Sequence, residues 1–324
     1  MMVSPSPTTA TPVQAPLEAA PFFADIAEGP EGGQTWWVKA ADGSRLRMGY
    51  WPGGDKGTIV MIPGRTEYIE KYGRLANDMV TAGYGMVTFD YRGQGLADRP
   101  SHRRDMGHVE SFDEYRLDMD AFRAAMAELK LPEPYYLNGH SLGGSIGMRV
   151  LYDGLKVQAA AFTGPMWGLQ LTPFLRKARP AIIWLTDVLG KGKTFAVTTG
   201  PWKPIPFEDN ALTTDPDNFA YMARQTKEHP ELALGGPSYT WVKKGLEECR
   251  AIMASEPLDI PVLGIVGEFE SITDPAMVHE RMGNWPKGRP LVIKGARHEV
   301  LMEAPDMRAE TVNAILDHFA AAVP

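Results

Sequence analysis

The chain has 324 residues, a formal net charge of -7 and 44% hydrophobic residues, enough to bury one large α/β core with an insertion or two smaller cores. Its acidic balance, with no long basic stripe, excludes nucleic acid as a partner, because a phosphate backbone demands clustered Lys and Arg. The single cysteine, Cys249, excludes an internal disulfide and a cysteine-based zinc cluster, and it suits a reducing compartment.

The first residues are rich in Pro, Ala, Thr and Ser and lack the basic and apolar regions of a secretory signal, so residues 1–30 are expected to be a disordered tail. From Thr35 to Trp51 a strand-like pattern surrounds the turn signal Ala41-Asp42-Gly43, which predicts an antiparallel hairpin. Gly57 to Ile62 is an almost unbroken apolar run, as expected of a strand covered on both faces. Ile69 to Ala82 has helical spacing and ends at Gly83; Tyr84 to Asp90 reads as a strand and Ser111 to Leu129 as an amphipathic helix. Pro134 to Leu137 is a strand, Leu142 to Tyr152 a helix and Val157 to Thr163 a strand. This alternation predicts a mostly parallel, doubly wound sheet.

The alternation then stops for about 95 residues, far longer than an ordinary loop. That stretch holds Trp167, Trp184, Trp202 and Trp241 and helical patches such as Leu212 to Glu228. It is expected to fold as a mainly helical cap, residues 165–257, inserted into a core of residues 31–164 and 258–324. Strands resume at Pro261 to Val266 and Pro290 to Lys294, and Met307 to Phe319 closes the chain as a helix.

Chemistry enters at Gly139-His140-Ser141-Leu142-Gly143, a Gly-x-Ser-x-Gly sequence between a strand and a helix. Composition alone supplies such a pattern about 0.2 times in a chain of this kind, so its neighbours must decide. The pattern reads as a strained turn that exposes a nucleophilic serine, with small residues letting the backbone pass. A serine hydroxyl needs a histidine to take its proton and a carboxylate to orient that histidine. His298 follows the last strand on the loop Gly295-Ala296-Arg297, where a sheet edge presents it. His318 and His279 lie in helical patterns, His102, His108 and His229 fall in the wrong place, and His140 adjoins the serine but is expected to point elsewhere. For the acid, the loop after Val266 offers Glu268, Glu270 and Asp274; Glu270 is preferred, with Asp274 as the alternative that also fits a helix cap before Pro275. The developing alkoxide needs amide donors, which are expected from Leu142 and Arg65.

Together these stretches resemble the monoacylglycerol lipase and bacterial lysophospholipase branch of the α/β hydrolases. The resemblance rests on Pro63-Gly64-Arg65-Thr66-Glu67-Tyr68, Lys71-Tyr72, Asp90-Tyr91-Arg92-Gly93-Gln94-Gly95, Gly107-His108-Val109, the serine motif, Gly235 to Val242, and Ile293 to Glu299. It implies an α/β-hydrolase fold, Ser141, His298 and Glu270 as the triad, and ester cleavage of single-chain lipids with neither cofactor nor metal. Two departures stand out: Pro63 replaces the usual histidine before Gly64, and Ala97 replaces a frequent serine.

In the cap, Trp167, Tyr239 and Trp241 are the expected substrate contacts. Phe174, Leu175, Ile182 to Leu185, Val188 and Leu189 form an apolar segment bordered by Arg176, Lys177, Arg179, Lys191 and Lys193. The preferred expectation is a cap helix packed on the core; the alternative is peripheral contact with a membrane. The chain is expected in the cytoplasm, peripheral at most to the inner face of the membrane, with a lipid ester substrate and no obligate protein partner. Two other functions stay open. The same triad serves an aminopeptidase, thioesterase or acyltransferase, and a hydrolase fold can also act as a binding protein without catalysis.

Overall fold

The computed structural model describes residues 17–99 and 102–322. Most of the expected tail, residues 1–16, lies outside them. Residues 17–30 do not behave as a tail. Trp37 donates its amide to Glu18, Thr35 Oγ1 donates to the Ala20 carbonyl at 2.8 Å, and the Arg47 guanidinium reaches the Pro21 carbonyl at 2.8 Å. A short helix, α1 (Ala24–Ala27), follows and buries Ile26 and Ala27. The composition of this segment conceals Phe22, Phe23 and Ile26, whose apolar surface finds cover on distant parts of the chain.

The hairpin forms as expected from β1 (Gln34–Lys39) and β2 (Arg45–Trp51), with Gln34 opposite Tyr50 and Lys39 opposite Arg45. Next come β3 (Thr58–Ile62), a 3-10 turn over Ile69–Tyr72, α2 (Gly73–Thr81), β4 (Gly85–Asp90) and α3 (Asp113–Glu128). The sequence reads the turn and α2 as one helix, but only the second part is α-helical. β5 (Tyr135–His140), α4 (Leu142–Tyr152) and β6 (Ala160–Thr163) complete the first half.

Three helices occupy the long interruption: α5 (Pro173–Val188), α6 (Pro216–Glu228) and α7 (Tyr239–Ala254). Each starts on a capping side chain, Thr172, Asp215 and Ser238, that accepts an amide of its first turn. β7 (Val262–Gly267), α8 (Pro275–Gly283), β8 (Gly288–Ile293), a 3-10 turn over Val300–Met302 and α9 (Pro305–Ala320) follow.

The eight strands form one sheet in the order β1-β2-β4-β3-β5-β6-β7-β8. β1, β2 and β4 pair antiparallel and every other pair is parallel. Strands β3, β4, β5, β6 and β7 are buried along almost their whole length, which explains why their sequences run apolar without alternation. On one face, Phe122 of α3 and Ile146 and Val150 of α4 pack the sheet; on the other, Leu75 and Met79 of α2 join Ile315 and Phe319 of α9. The two layers fix the C-terminal ends of β3, β5, β6 and β7 in a row, and the site lies there.

One cap expectation is reversed. The helix α5 buries none of its 16 residues, and Phe174 and Trp184 are 75% and 66% exposed, so it is not packed on the core. It rests against α7 instead. Among the described residues no helix is long and apolar enough to cross a membrane.

Candidate active site

Ser141 stands between the last residue of β5 and the first of α4, with φ 51° and ψ -117°. A side chain at positive φ is strained by roughly 1–3 kcal/mol, and here the surroundings enforce it. The Ser141 amide donates to Thr163 at the end of β6, and its carbonyl accepts from Gly144 and Met166. Gly143 has to lack a side chain, because a Cβ there would sit 2.0 Å from the Ile62 carbonyl oxygen and 2.6 Å from that of Pro63. That close approach carries the chain after β3 alongside the first turn of α4. It therefore brings the segment that leads to Arg65 close to the turn that holds Leu142, far apart though they are in sequence.

The loop after β3 is held from several directions. Gly64 donates its amide to Glu67, and Thr66 donates its amide to Gln94 Oε1 at 3.3 Å. Tyr91 donates its hydroxyl to the carbonyls of Pro63 and Gly64 at 2.7 and 2.9 Å, and Gln94 Nε2 donates to those of Gly64 and Glu67. The amides on either side of Arg65 are thus committed, while among the described residues that of Arg65 has no backbone or side-chain acceptor, nor has that of Leu142. Pro63, the departure from the resemblance, offers only a carbonyl to this network, and Tyr91 uses it. Ala97, the other departure, is buried.

Of the carboxylates offered by the sequence, Glu270 is the one that meets His298. Glu270 Oε2 lies 2.6 Å from His298 Nδ1, and its Oε1 accepts the amides of Ile272 and Thr273 at 2.7 and 3.1 Å. Burial opposes ionisation of Glu270, but the His298 contact and the two amides outweigh it and hold the carboxyl below its usual range. Asp274 accepts the Ala276 amide at 3.1 Å and caps α8, its alternative reading from the sequence. Gly164 borders the Glu270–His298 pair: a Cβ there would meet His298 Nδ1 at 3.0 Å and Glu270 Oε2 at 3.1 Å.

The aromatic residues expected to contact substrate divide. Trp167 and Trp241 are 1% and 4% exposed, and each spends its indole N–H inside the protein, on the Gly144 carbonyl at 3.2 Å and on the Tyr115 hydroxyl at 3.0 Å. Both are packed into the core, and Trp167 buttresses the start of α4. Tyr239 is partly exposed and opens α7.

Sequence reasoning missed the buried charges behind the serine. Glu67, Lys71, His140 and Glu299 converge there, and the i, i+4 spacing of Glu67 and Lys71 was the one local signal. Glu67, His140 and Glu299 have the chemistry of metal ligands. The Lys71 ammonium, 2.6 Å from an oxygen of each carboxylate, already supplies a cation between them.

Comparison with known proteins bears on this arrangement. The model of the serine aminopeptidase S33 family, Hydrolase_4, matches residues 53–305. Lysophospholipase L2 of Escherichia coli K12 is 33% identical over 274 residues, covering 81% of this chain and 79% of that protein. The monoglyceride lipase of Saccharomyces cerevisiae is 23% identical over 286 residues, covering 84% and 88%. Among solved structures, a soluble variant of that yeast lipase superposes with a TM-score of 0.68 at 18% identity, covering 98% of this chain and 100% of that one. The monoacylglycerol lipase of Paleococcus ferrophilus gives 0.66 at 22% identity, covering 86% and 99%. With a doubly wound sheet, a strained serine after β5 and a family match over most of its length, the chain belongs to the serine aminopeptidase S33 family of α/β hydrolases.

Proposed function

We propose that the chain is a serine hydrolase that cleaves carboxylic esters of single-chain lipids, lysophospholipids or monoacylglycerols, through an acyl-enzyme. The buried Glu270–His298 pair, which borders Gly164 while the strained serine bonds the preceding Thr163, carries this reading. With Nδ1 committed to an ionised glutamate, His298 presents Nε2 as the base. Nε2 takes the Ser141 proton as Oγ bonds to the acyl carbon. The carbonyl oxygen becomes an alkoxide facing the Arg65 and Leu142 amides, each worth about 3 kcal/mol to the transition state. His298 returns the proton to the departing alcohol oxygen as the ester C–O bond breaks. Water, deprotonated by the same nitrogen, then releases the fatty acid and restores Ser141. The proton balance closes on these groups without a metal or an organic cofactor.

The lipid assignment is supported by the lysophospholipase relative at 33% identity. One hydrolysis panel tests it: lysophosphatidyl lipids, monoacylglycerol, short p-nitrophenyl esters and aminoacyl amides, with Ser141→Ala as the blank. The reading expects lipid esters to lead and the blank to be inactive. Preference for an aminoacyl amide favours the aminopeptidase alternative, and transfer to an added acceptor favours an acyltransferase. Absence of a fluorophosphonate adduct at Ser141 in folded protein favours a binding protein.

The exposure of α5 favours a second element of the reading, peripheral contact with a membrane. Phe174, Trp184, Leu185, Val188 and Leu189 are all exposed, and Arg176 and Lys177 lie beside them. Flotation with anionic vesicles is the test, and failure to co-float removes this element while leaving the hydrolase reading intact.

A further inference from the structure

In the loop after β3, the backbone on both sides of Arg65 is held by one side chain from the turn after β4. Gln94 is 2% exposed; its Nε2 donates to the carbonyls of Gly64 and Glu67 at 2.8 and 2.9 Å, and its Oε1 accepts the Thr66 amide at 3.3 Å. A carboxamide has two N–H donors and one carbonyl oxygen, so Gln94 spends both donors and its acceptor on Gly64, Thr66 and Glu67 and passes over Arg65. The partners also fix which way the carboxamide faces. Turned over, it would set its oxygen against two carbonyls and its N–H groups against another N–H.

Peptide geometry carries this hold to the one amide left over. The Gly64–Arg65 bond is trans, so the Gly64 carbonyl and the Arg65 N–H lie in one plane and point in opposite directions. The Gly64 oxygen is fixed by two donors, Gln94 Nε2 and the Tyr91 hydroxyl. Fixing that oxygen fixes the Arg65 N–H as well, and turns it away from Gln94 and Tyr91. The loop does not take this course by its own preference. Thr66 has φ 71°, a left-handed conformation that a β-branched residue avoids, and its amide is the one bonded to Gln94 Oε1. Gln94 can hold a strained loop because its own turn is clamped. The Leu96 amide donates to Asp90 Oδ2 at 2.8 Å, and the Gly95 backbone passes so close that a Cβ there would lie 2.0 Å from Asp90 Cγ. Asp90 Oδ1 accepts the Ile69 amide at 2.9 Å, so one carboxylate ties down both the turn that carries Gln94 and the chain leaving the Arg65 loop.

We propose that Gln94 is a positioning residue for the alkoxide-binding amide: it sets the direction of the Arg65 N–H before substrate arrives, so that the donor need not turn as charge develops on the carbonyl oxygen. The role rests on the hydrolase reading, with Ser141 as nucleophile and the Arg65 amide as one donor. Without Gln94, the Gly64 oxygen keeps only the Tyr91 hydroxyl, and Thr66 loses the side-chain acceptor that holds it at positive φ. The Gly64–Arg65 peptide is then free to rotate, and the donor loses its aim.

An n-alkyl trifluoromethyl ketone and the matching alcohol test this. Ser141 Oγ adds to the ketone carbon, its proton passes to His298, and the ketone oxygen becomes an alkoxide; the alcohol has no carbonyl and forms no adduct. In Gln94→Ala, kcat/KM on a p-nitrophenyl ester and affinity for the ketone should fall together by about 30-fold to 100-fold, the lower end of the loss when a donor is removed outright. Affinity for the alcohol should stay within about twofold, because it makes no alkoxide. Tyr91→Phe removes the other donor to the same oxygen and should lower ester turnover and ketone affinity by about threefold to tenfold, which keeps the test open if Gln94→Ala does not fold. A merely structural role weakens ketone and alcohol alike, or lowers only the fraction of protein that a fluorophosphonate labels at Ser141. An unchanged ratio of ketone to alcohol affinity in both variants, with a tight ketone in the wild type, overturns the role of Gln94 alone. A wild-type protein that binds the ketone no more tightly than the alcohol overturns the hydrolase reading and this role with it.

Discussion

Beneath the sheet's catalytic edge, Arg47 is fully buried and donates to Asp90 at 2.7 Å and to both oxygens of Glu70 at 2.8 and 2.7 Å. Above that edge α5 buries no residue and turns Phe174 and Trp184 to solvent. The usual arrangement of polar outside and apolar inside is inverted in both places, for opposite reasons. In this cluster the charges are enclosed because they answer one another, and Asp90 also accepts the amides of Ile69 and Leu96. In the cap, apolar side chains stay exposed because no other element among the described residues covers them. Enclosed charge fixes the geometry around Ser141, and uncovered apolar surface leaves α5 available to something outside the chain.

Four substitutions break or sharpen this contrast. Glu270→Gln should lower kcat by about 10³–10⁴ with an unchanged melting transition, because the orienting charge on His298 goes while the shape stays. A loss under tenfold means that the pair is not used in catalysis. Arg47→Met strands Glu70 and Asp90 without a counter-ion and should destabilise by about 3–5 kcal/mol in urea unfolding. A smaller acid effect is expected at Asp42, whose hydrogen bond from Arg92, outweighing its slight burial, holds the carboxyl down at about 2. A depressed carboxyl contributes stability that is present above its ordinary value and is lost as pH falls from about 4 toward 2. Asp42→Asn should remove that part of the acid slope, and Asp42 is exposed enough that the change stays under about 1 kcal/mol. Smallest of all, Trp184→Ser should shift stability by less than about 0.5 kcal/mol while weakening vesicle flotation. A large loss of stability there shows that α5 is packed after all, and the contrast collapses.

Much of the core was legible because its signals are local. Unbroken apolar runs marked β3, β5 and β7, and the Gly-x-Ser-x-Gly spacing marked the turn at Ser141. His298 and Glu270 stood out because each follows a strand whose end is fixed by the sheet. What stayed hidden depends on partners distant in sequence. Nothing near Ile26 announces that its carbonyl will accept from Gln225 Nε2, and nothing near His140 announces Glu67 and Glu299. The position of α5 was misread for a related reason. Its apolar face is the same whether a core or a lipid covers it, and only tertiary structure shows that the core does not.

The segment that the composition gave away as a tail decides how the cap is anchored. Tyr221 of α6 donates its hydroxyl to the carbonyls of Ala27 and Glu70 at 2.7 and 2.9 Å, Gln225 reaches Ile26 at 2.8 Å, and Arg224 pairs with Glu28 at 2.6 Å. The α6 side of the cap is therefore bolted to the start of the chain and to the Ile69–Tyr72 turn. On the α5 side the comparable fastening is an exposed Lys243–Asp187 pair to α7. The cap is thus held unevenly, tied down along α6 and joined more lightly along α5, the margin whose apolar side chains face outward.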